Sequence, residues 1–207
     1  MQNIETTELR THTQIMVRQR HELAEWFGFE TRNKYEFSTT NGTPIVFAAE
    51  QGKGILGFIF RQYLGHWRSY NIVFFDPNRQ EVMRAVHPFR WYFREFNVFT
   101  QNNRYIGKVV KIFSIFTKKF EVRDELNNLI FEVSSPIWKL WTFPFLSAGR
   151  QRAQIQKKWT GLLAEAFTDK DNFLIQFEDS SLTENQRKLI LAAALYIDLT
   201  YFENKAK

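Results

Sequence analysis

Acidic side chains bracket one short apolar run near the C-terminus. In AFTDKDNFLIQFEDSS, residues 166–181, Asp169 and Asp171 precede NFLIQF, and Glu178 and Asp179 follow it. Oxygen ligands at alternate positions suit a hard divalent cation such as calcium. The EF-hand loop is not met, because the sixth position counted from Asp169 is Leu174 rather than glycine and the twelfth is Ser180 rather than glutamate. A β-turn with capping carboxylates accounts for the same residues and is the plainer reading.

Residues 52–57, GKGILG, carry the glycine spacing of a dinucleotide loop, with a plausible strand before them and Asp76 beyond. That chemistry needs a strand–helix–strand unit. Here the preceding strand belongs to an Asn41-Gly42 hairpin and no strand–helix alternation follows, so a glycine-rich loop is expected and no nucleotide or haem. His12, His21, His66 and His87 are scattered without metal-ligand spacing, and no serine sits in a G-x-S-x-G elbow. With no cysteine, disulfides and thiol nucleophiles are excluded together. No nucleophile and base pair emerges, and an enzyme is not expected.

The remaining chemistry is cationic. Lys108, Lys111, Lys118, Lys119, Arg150, Arg152, Lys157 and Lys158 interleave with aromatics in KVVKIFSIFTKKF and GRQRAQIQKKW. On strands, Lys108, Lys118 and Lys119 are expected to face water and Phe113 and Phe116 to face inward, which is also ordinary β alternation. A net charge of +6 favours anionic partners: an anionic phospholipid membrane, nucleic acid or an acidic protein. Near anionic lipid each lysine or arginine contributes about 1 kcal/mol.

The elements that position these groups are short. Tyr35 and Phe37 alternate with polar neighbours before Asn41-Gly42, and Ile45 to Phe47 resumes the strand pattern. Similar runs follow at 71–75, 81–86, 91–100, 105–114, 118–125, 129–135, around QIQKKWTG, and at NFLIQF, with turns at Asp76-Pro77-Asn78, Gln101 to Arg104 and Asn127-Asn128. Residues 15–17 fit either the start of a strand or one side of a helix. Ten to twelve strands with turn signals every 8–12 residues predict one antiparallel sandwich or barrel. NKYEFSTTNGTPIVFAAE and KKFEVRDELNNLIFEVSS form a weak internal repeat, and a duplicated meander can close into a barrel that leaves no exposed edge.

The last element, residues 184–203, opens behind Ser180, Ser181 and Thr183 as helix caps. Leu189, Ile190, Leu195 and Ile197 belong to a run apolar on all sides, so the helix must be buried in protein or lipid. Interrupted by Asp198, the run falls short of the roughly 20 residues that span a bilayer, and a carboxylate in hydrocarbon costs about 2.5 kcal/mol or more. A core helix threaded through the barrel is expected, with Asp198 hydrogen-bonded inside it or at its mouth. The polar N-terminus lacks the apolar segment of a secretory signal, so a cytoplasmic protein, peripheral to the cytoplasmic face of a membrane, is expected.

VRQRHELAEWFGFETRNKYEF, FAAE, DPNRQEVMRAVHPF, IGKVVKIF, KKFEVRDE, IFEVSSP, IQKKWTG, EAFTDKDNFLIQF and LILAAALYIDLTYFE together resemble the phospholipid scramblase family, related to the Tubby-like proteins. The resemblance implies a mainly β fold, a closed antiparallel barrel of about twelve strands around the C-terminal helix, over 14–207 behind a flexible segment 1–13. It implies ATP-independent, calcium-stimulated movement of phospholipids between leaflets; the alternative is a soluble regulatory or binding module of the Tubby type that docks anionic lipid or nucleic acid through its basic face. It assigns calcium to Asp169 and Asp171 with Phe173, Ile175 and Phe177 at the intervening positions, and Glu178 or Asp179 in place of the acid missing at Ser180. The family's cysteine cluster falls at Phe89 to Arg94, which holds no cysteine, and its proline-rich tail is missing. Palmitate anchoring is therefore not expected, and the chain reads as a minimal core of the kind a bacterial member would have.

Overall fold

The structure, a computed structural model, describes residues 8–20, 33–51, 70–88, 95–136, 138, 141–157 and 172–202. Twelve strands follow in chain order: β1 Gln14–Gln19, β2 Lys34–Ser38, β3 Pro44–Glu50, β4 Tyr70–Phe75, β5 Glu81–His87, β6 Glu95–Thr100, β7 Tyr105–Ile112, β8 Thr117–Asp124, β9 Leu129–Pro136, β10 Thr142–Ser147, β11 Arg150–Lys157 and β12 Asn172–Phe177. Each pairs antiparallel with its sequence neighbours, and β1 pairs with β12, closing the sheet into a barrel. The open choice at residues 15–17 resolves to strand.

Helix α1, Glu184–Ile197, fills the barrel and passes into a π-helical turn, Asp198–Phe202. Residues 189–197 are all buried and share one core with the inward side chains of the strands. The helix can be apolar all round because every side of it meets barrel wall. Tyr196, for example, sits against Phe96 and Phe120 with ring centroids 5.3 and 5.8 Å away. Thr183 and Gln186 form a reciprocal capping box at its start.

Because the strands run up and down in sequence, connections alternate between the two ends of the barrel. At the end where α1 begins, four hairpins close with one scheme. Thr39, Asp76, Thr100 and Asp124 each donate their N–H to the carbonyl four residues on, at 2.9–3.0 Å. Each also accepts on a side-chain oxygen from the amide of that same residue, at 2.7–3.3 Å. The residue before it, Gly42, Arg79, Asn103 or Asn127, has positive φ, and each hairpin carries a bulge beside the turn. The repeat seen in the sequence occupies β2–β3 and β8–β9, so Tyr35 and Phe120 reach the helix from different sides of the barrel.

Two expectations need correction. Strand β10 carries Pro144 and lay outside the strands read from sequence. Its ladder to β9 holds only Phe145↔Val133 and Leu146↔Glu132, so the missing N–H sits beyond the paired stretch. Residues 8–13, expected within a flexible N-terminal segment, are instead docked. Leu9 is buried under a short 3₁₀ turn, its N–H donates to Glu184 Oε1, and Arg187 donates to the carbonyls of Leu9 and His12 at 3.0 and 2.6 Å. Residues 1–7 lie outside the described residues.

Candidate functional site

Alternation along a strand assigns each side chain to core or surface, and three lysines fall on the core side. Lys111 shares parity with Val109, Lys118 with Phe120 and Val122, and Lys157 with Ala153 and Ile155. All three stand at the end where α1 terminates. Lys118 and Lys157 are 8% and 6% exposed, which overturns the expectation that Lys118 faces water. Phe113 and Phe116, expected inward, are exposed, because they belong to the β7–β8 connection beyond the last ladder pair, Ile112↔Lys119.

The lysines gather around aromatic rings. Lys157 Nζ lies 4.2 Å from the Phe202 ring and 5.3 Å from that of Phe173. Lys118 Nζ is 5.1 Å from the same Phe202 ring and 5.4 Å from Phe143, and Lys111 Nζ lies 5.6 Å from Tyr201. Trp141 stacks on Phe202 with centroids 5.5 Å apart. Cations over ring faces are attracted by the ring quadrupole, about 2 kcal/mol when desolvated. The helix C-terminus, with its partial negative charge, ends in the same place. Two ammonium groups at one ring therefore have a structural reason to be there, and they place two positive charges at this end of the barrel.

The other predicted cations are elsewhere. Lys119 faces outward and bonds Glu132 at 2.8 Å, which pushes its ammonium pKa up. Lys108 stands opposite Asn97 and Arg123 in the barrel wall. Arg150 sits in the β10–β11 hairpin at the opposite end, and Arg152 pairs there with Asp179. Lys158 lies outside the described residues, as do His21, His66 and the glycine-rich 52–57.

The calcium ligand set divides in the same way. Asp169 and Asp171 lie outside the described residues. Phe173, Ile175 and Phe177 spend their side chains in the core, and their backbone pairs with β1 and β11. Glu178 accepts from Gln151, and Asp179 from the Ser181 amide; hydrogen bonding from the Ser181 hydroxyl first and its amide second holds the Asp179 carboxyl pKa down. Six extended residues, 172–177, at about 3.3 Å each separate the two acidic groups. Glu178 and Asp179 thus stand at the far end of β12 from the segment that carries Asp169 and Asp171. Among the described residues no cluster of three or more His, Cys, Asp and Glu is placed to hold a metal.

Asp198, the acid that interrupts the helix run, is buried and accepts from Tyr35 Oη at 2.8 Å. Among the described residues no helix is long and apolar enough to cross a membrane. The family model described as Scramblase matches residues 1–204. The chain belongs to the scramblase family. This scramblase-family chain is 31% identical to human phospholipid scramblase 1 over 92% of its own length and 63% of that protein's. It is 25% identical to human phospholipid scramblase family member 5, covering 92% of the chain and 74% of the relative. It is 23% identical to the altered inheritance rate of mitochondria protein 25 of Saccharomyces cerevisiae, covering 99% and 74%. It thus spans less than two thirds of the human scramblase 1 length. No solved structure matches it.

The sequence reading named Lys111, Lys118 and Lys157 as candidates but missed that they face inward, and it missed their aromatic partners Tyr201 and Phe202. Their signal was present: Lys118-x-Phe120-x-Val122 and Ala153-x-Ile155-x-Lys157 put each lysine in phase with core residues.

Proposed function

We propose that this protein handles phospholipids at a membrane surface without ATP or covalent chemistry, engaging anionic headgroups at the lysine-bearing end of its barrel. The observation that carries this reading is the convergence of Lys118 and Lys157 on the Phe202 ring, with Lys111 beside Tyr201. Family membership supports the lipid class, since relatives named phospholipid scramblases share most of this chain.

Because α1 and the inward side chains form one apolar core, the interior offers a headgroup no polar path. Transbilayer movement, where it occurs, runs along the outside of the barrel, where cationic groups lower the barrier to a headgroup. Calcium, if it acts, would meet the acidic residues on one side of β12 rather than both together. The buried helix favours a second reading, a Tubby-type module that docks anionic lipid without moving it.

Flotation with vesicles of phosphatidylcholine, with and without phosphatidylserine, tests the binding. Lys111→Gln, at a half-exposed site, is expected to weaken anionic-vesicle binding severalfold, and Lys118→Gln with Lys157→Gln about tenfold or more, while thermal unfolding remains cooperative. Binding that ignores phosphatidylserine and survives all three changes overturns the proposal. Dithionite access to labelled inner-leaflet lipid then separates movement from docking.

A further inference from the structure

Exposed apolar side chains are ordinary when single and informative when clustered. Phe113, Ile115 and Phe116 are 88%, 67% and 72% exposed within one connection, and Trp138 is 77% exposed in another. Residues 113–116 join β7 to β8, and Trp138 stands between the end of β9 and the start of β10, both at the end of the barrel where α1 terminates. Two strand spacings separate them, roughly 10 Å. The first connection is held in shape: Ser114 Oγ and Thr117 Oγ1 are 2.6 Å apart, and the Thr117 amide donates to Ser114 Oγ at 3.3 Å. Three apolar side chains are thereby presented to solvent by a turn with its own hydrogen bonds.

Charge selects the occupant. Lys111 and Lys118 flank residues 113–116, and Lys157 stands at the same end. At the opposite end the exposed apolar residues Leu126 and Leu129 share a hairpin with Asp124, Glu125 and Arg123, so the charge beside them is mixed rather than uniformly cationic. Aromatic rings at the tip with lysines just behind them fit the layering of an anionic bilayer, where rings enter the headgroup boundary, half-exposed Lys111 meets lipid phosphate, and the buried Lys118 and Lys157 contribute through their charge alone.

Resting on the phospholipid reading above, we infer that the protein docks end-on to an anionic membrane, with Phe113, Ile115, Phe116 and Trp138 entering its interface and α1 staying inside the barrel. The helix that looks like the membrane element is then the core. The membrane contact belongs to two loops.

The absence of cysteine allows single labels. Phe116→Cys and Leu126→Cys, each carrying an environment-sensitive dye, are mixed with phosphatidylcholine–phosphatidylserine vesicles, with and without nitroxide-labelled lipid. The dye at 116 is expected to shift to the blue and be quenched, and the dye at 126 to remain as in buffer. Phe113→Ser with Ile115→Ser is expected to lower vesicle binding about tenfold or more without changing the melting temperature, these side chains being exposed. Vesicle binding with an unquenched label at 116 overturns the docking geometry and leaves the lipid reading intact. No vesicle binding by the unaltered protein overturns both. A dimer in sedimentation that Phe113→Ser dissolves, with no vesicle-dependent quenching, assigns the patch to a second copy instead.

Discussion

Tyr35 Oη donates a 2.8 Å hydrogen bond to Asp198 Oδ2, tying the start of β2 to the point where α1 gives way to its π-helical turn. Both residues are buried, at 1% and 5% exposure, so the bond forms where water competes poorly. Removing one partner of a buried pair leaves the other short of solvation, at a cost of about 1–3 kcal/mol. Tyr35→Phe is expected to destabilise the protein by that amount in urea unfolding, and Asp198→Asn, which keeps an acceptor oxygen, by less. An unchanged midpoint for Tyr35→Phe would show that the bond contributes nothing net.

Gly107 in β7 has φ +141, and a Cβ there would meet Arg123 O at 2.2 Å. The contact is with backbone, so it cannot be relieved by a rotamer change. Gly107→Ala is expected to cost about 2–3 kcal/mol or more. Gly42, with φ +85 and open space around it, bears only conformational strain, and Gly42→Ala is expected to cost about 1 kcal/mol. Equal losses in chemical denaturation would argue against a close approach at β7–β8.

His12 is pushed below its ordinary pKa of 6.5 first by burial and then by the charge of Arg187. The folded protein therefore holds the imidazole neutral where the unfolded chain begins to take up a proton. Stability from this group is present above pH 6.5 and is lost as pH falls through that value toward the lower folded pKa. Glu184 behaves oppositely, since burial raises its carboxyl pKa, so its ionised form weakens the fold as pH rises. Melting temperatures between pH 8 and 5 are expected to fall less in His12→Asn than in the unaltered protein; parallel curves would remove His12 from the account.

Any calcium response is expected to depend on Asp169 and Asp171 alone. A calcium-induced rise in melting temperature should vanish in Asp169→Asn with Asp171→Asn and persist in Glu178→Gln with Asp179→Asn, because β12 separates the two groups. Loss of the response in the second variant would require both acidic groups to act on one ion.

Much of the fold was legible because its signals are local. Hairpin turns follow from residue types at fixed offsets, as at Asn41-Gly42 and Asp124 to Asn128, and the helix from an apolar run with a cap. Pro144 hid β10, since proline ordinarily marks a strand's end and only the shortness of the β9 ladder makes room for it. The site was less legible. Lysine is normally read as a surface residue, and the burial of Lys118 and Lys157 depends on Tyr201 and Phe202 arriving from the far end of the helix. Phe113 and Phe116 misled for the converse reason: hydrophobicity implies burial only where a ladder continues, and this one stops at Ile112.

The core helix is also the last described element of the chain. While β1 to β12 leave the ribosome, the inner face of the sheet has nothing to close upon, and β1 must wait for β12 before the ring can shut. Contacts so distant in sequence form slowly. Until residues 184–202 are in place, the inner face of the strands lacks its apolar partner. A chain cut before residue 184 is therefore expected to leave that face open and to aggregate.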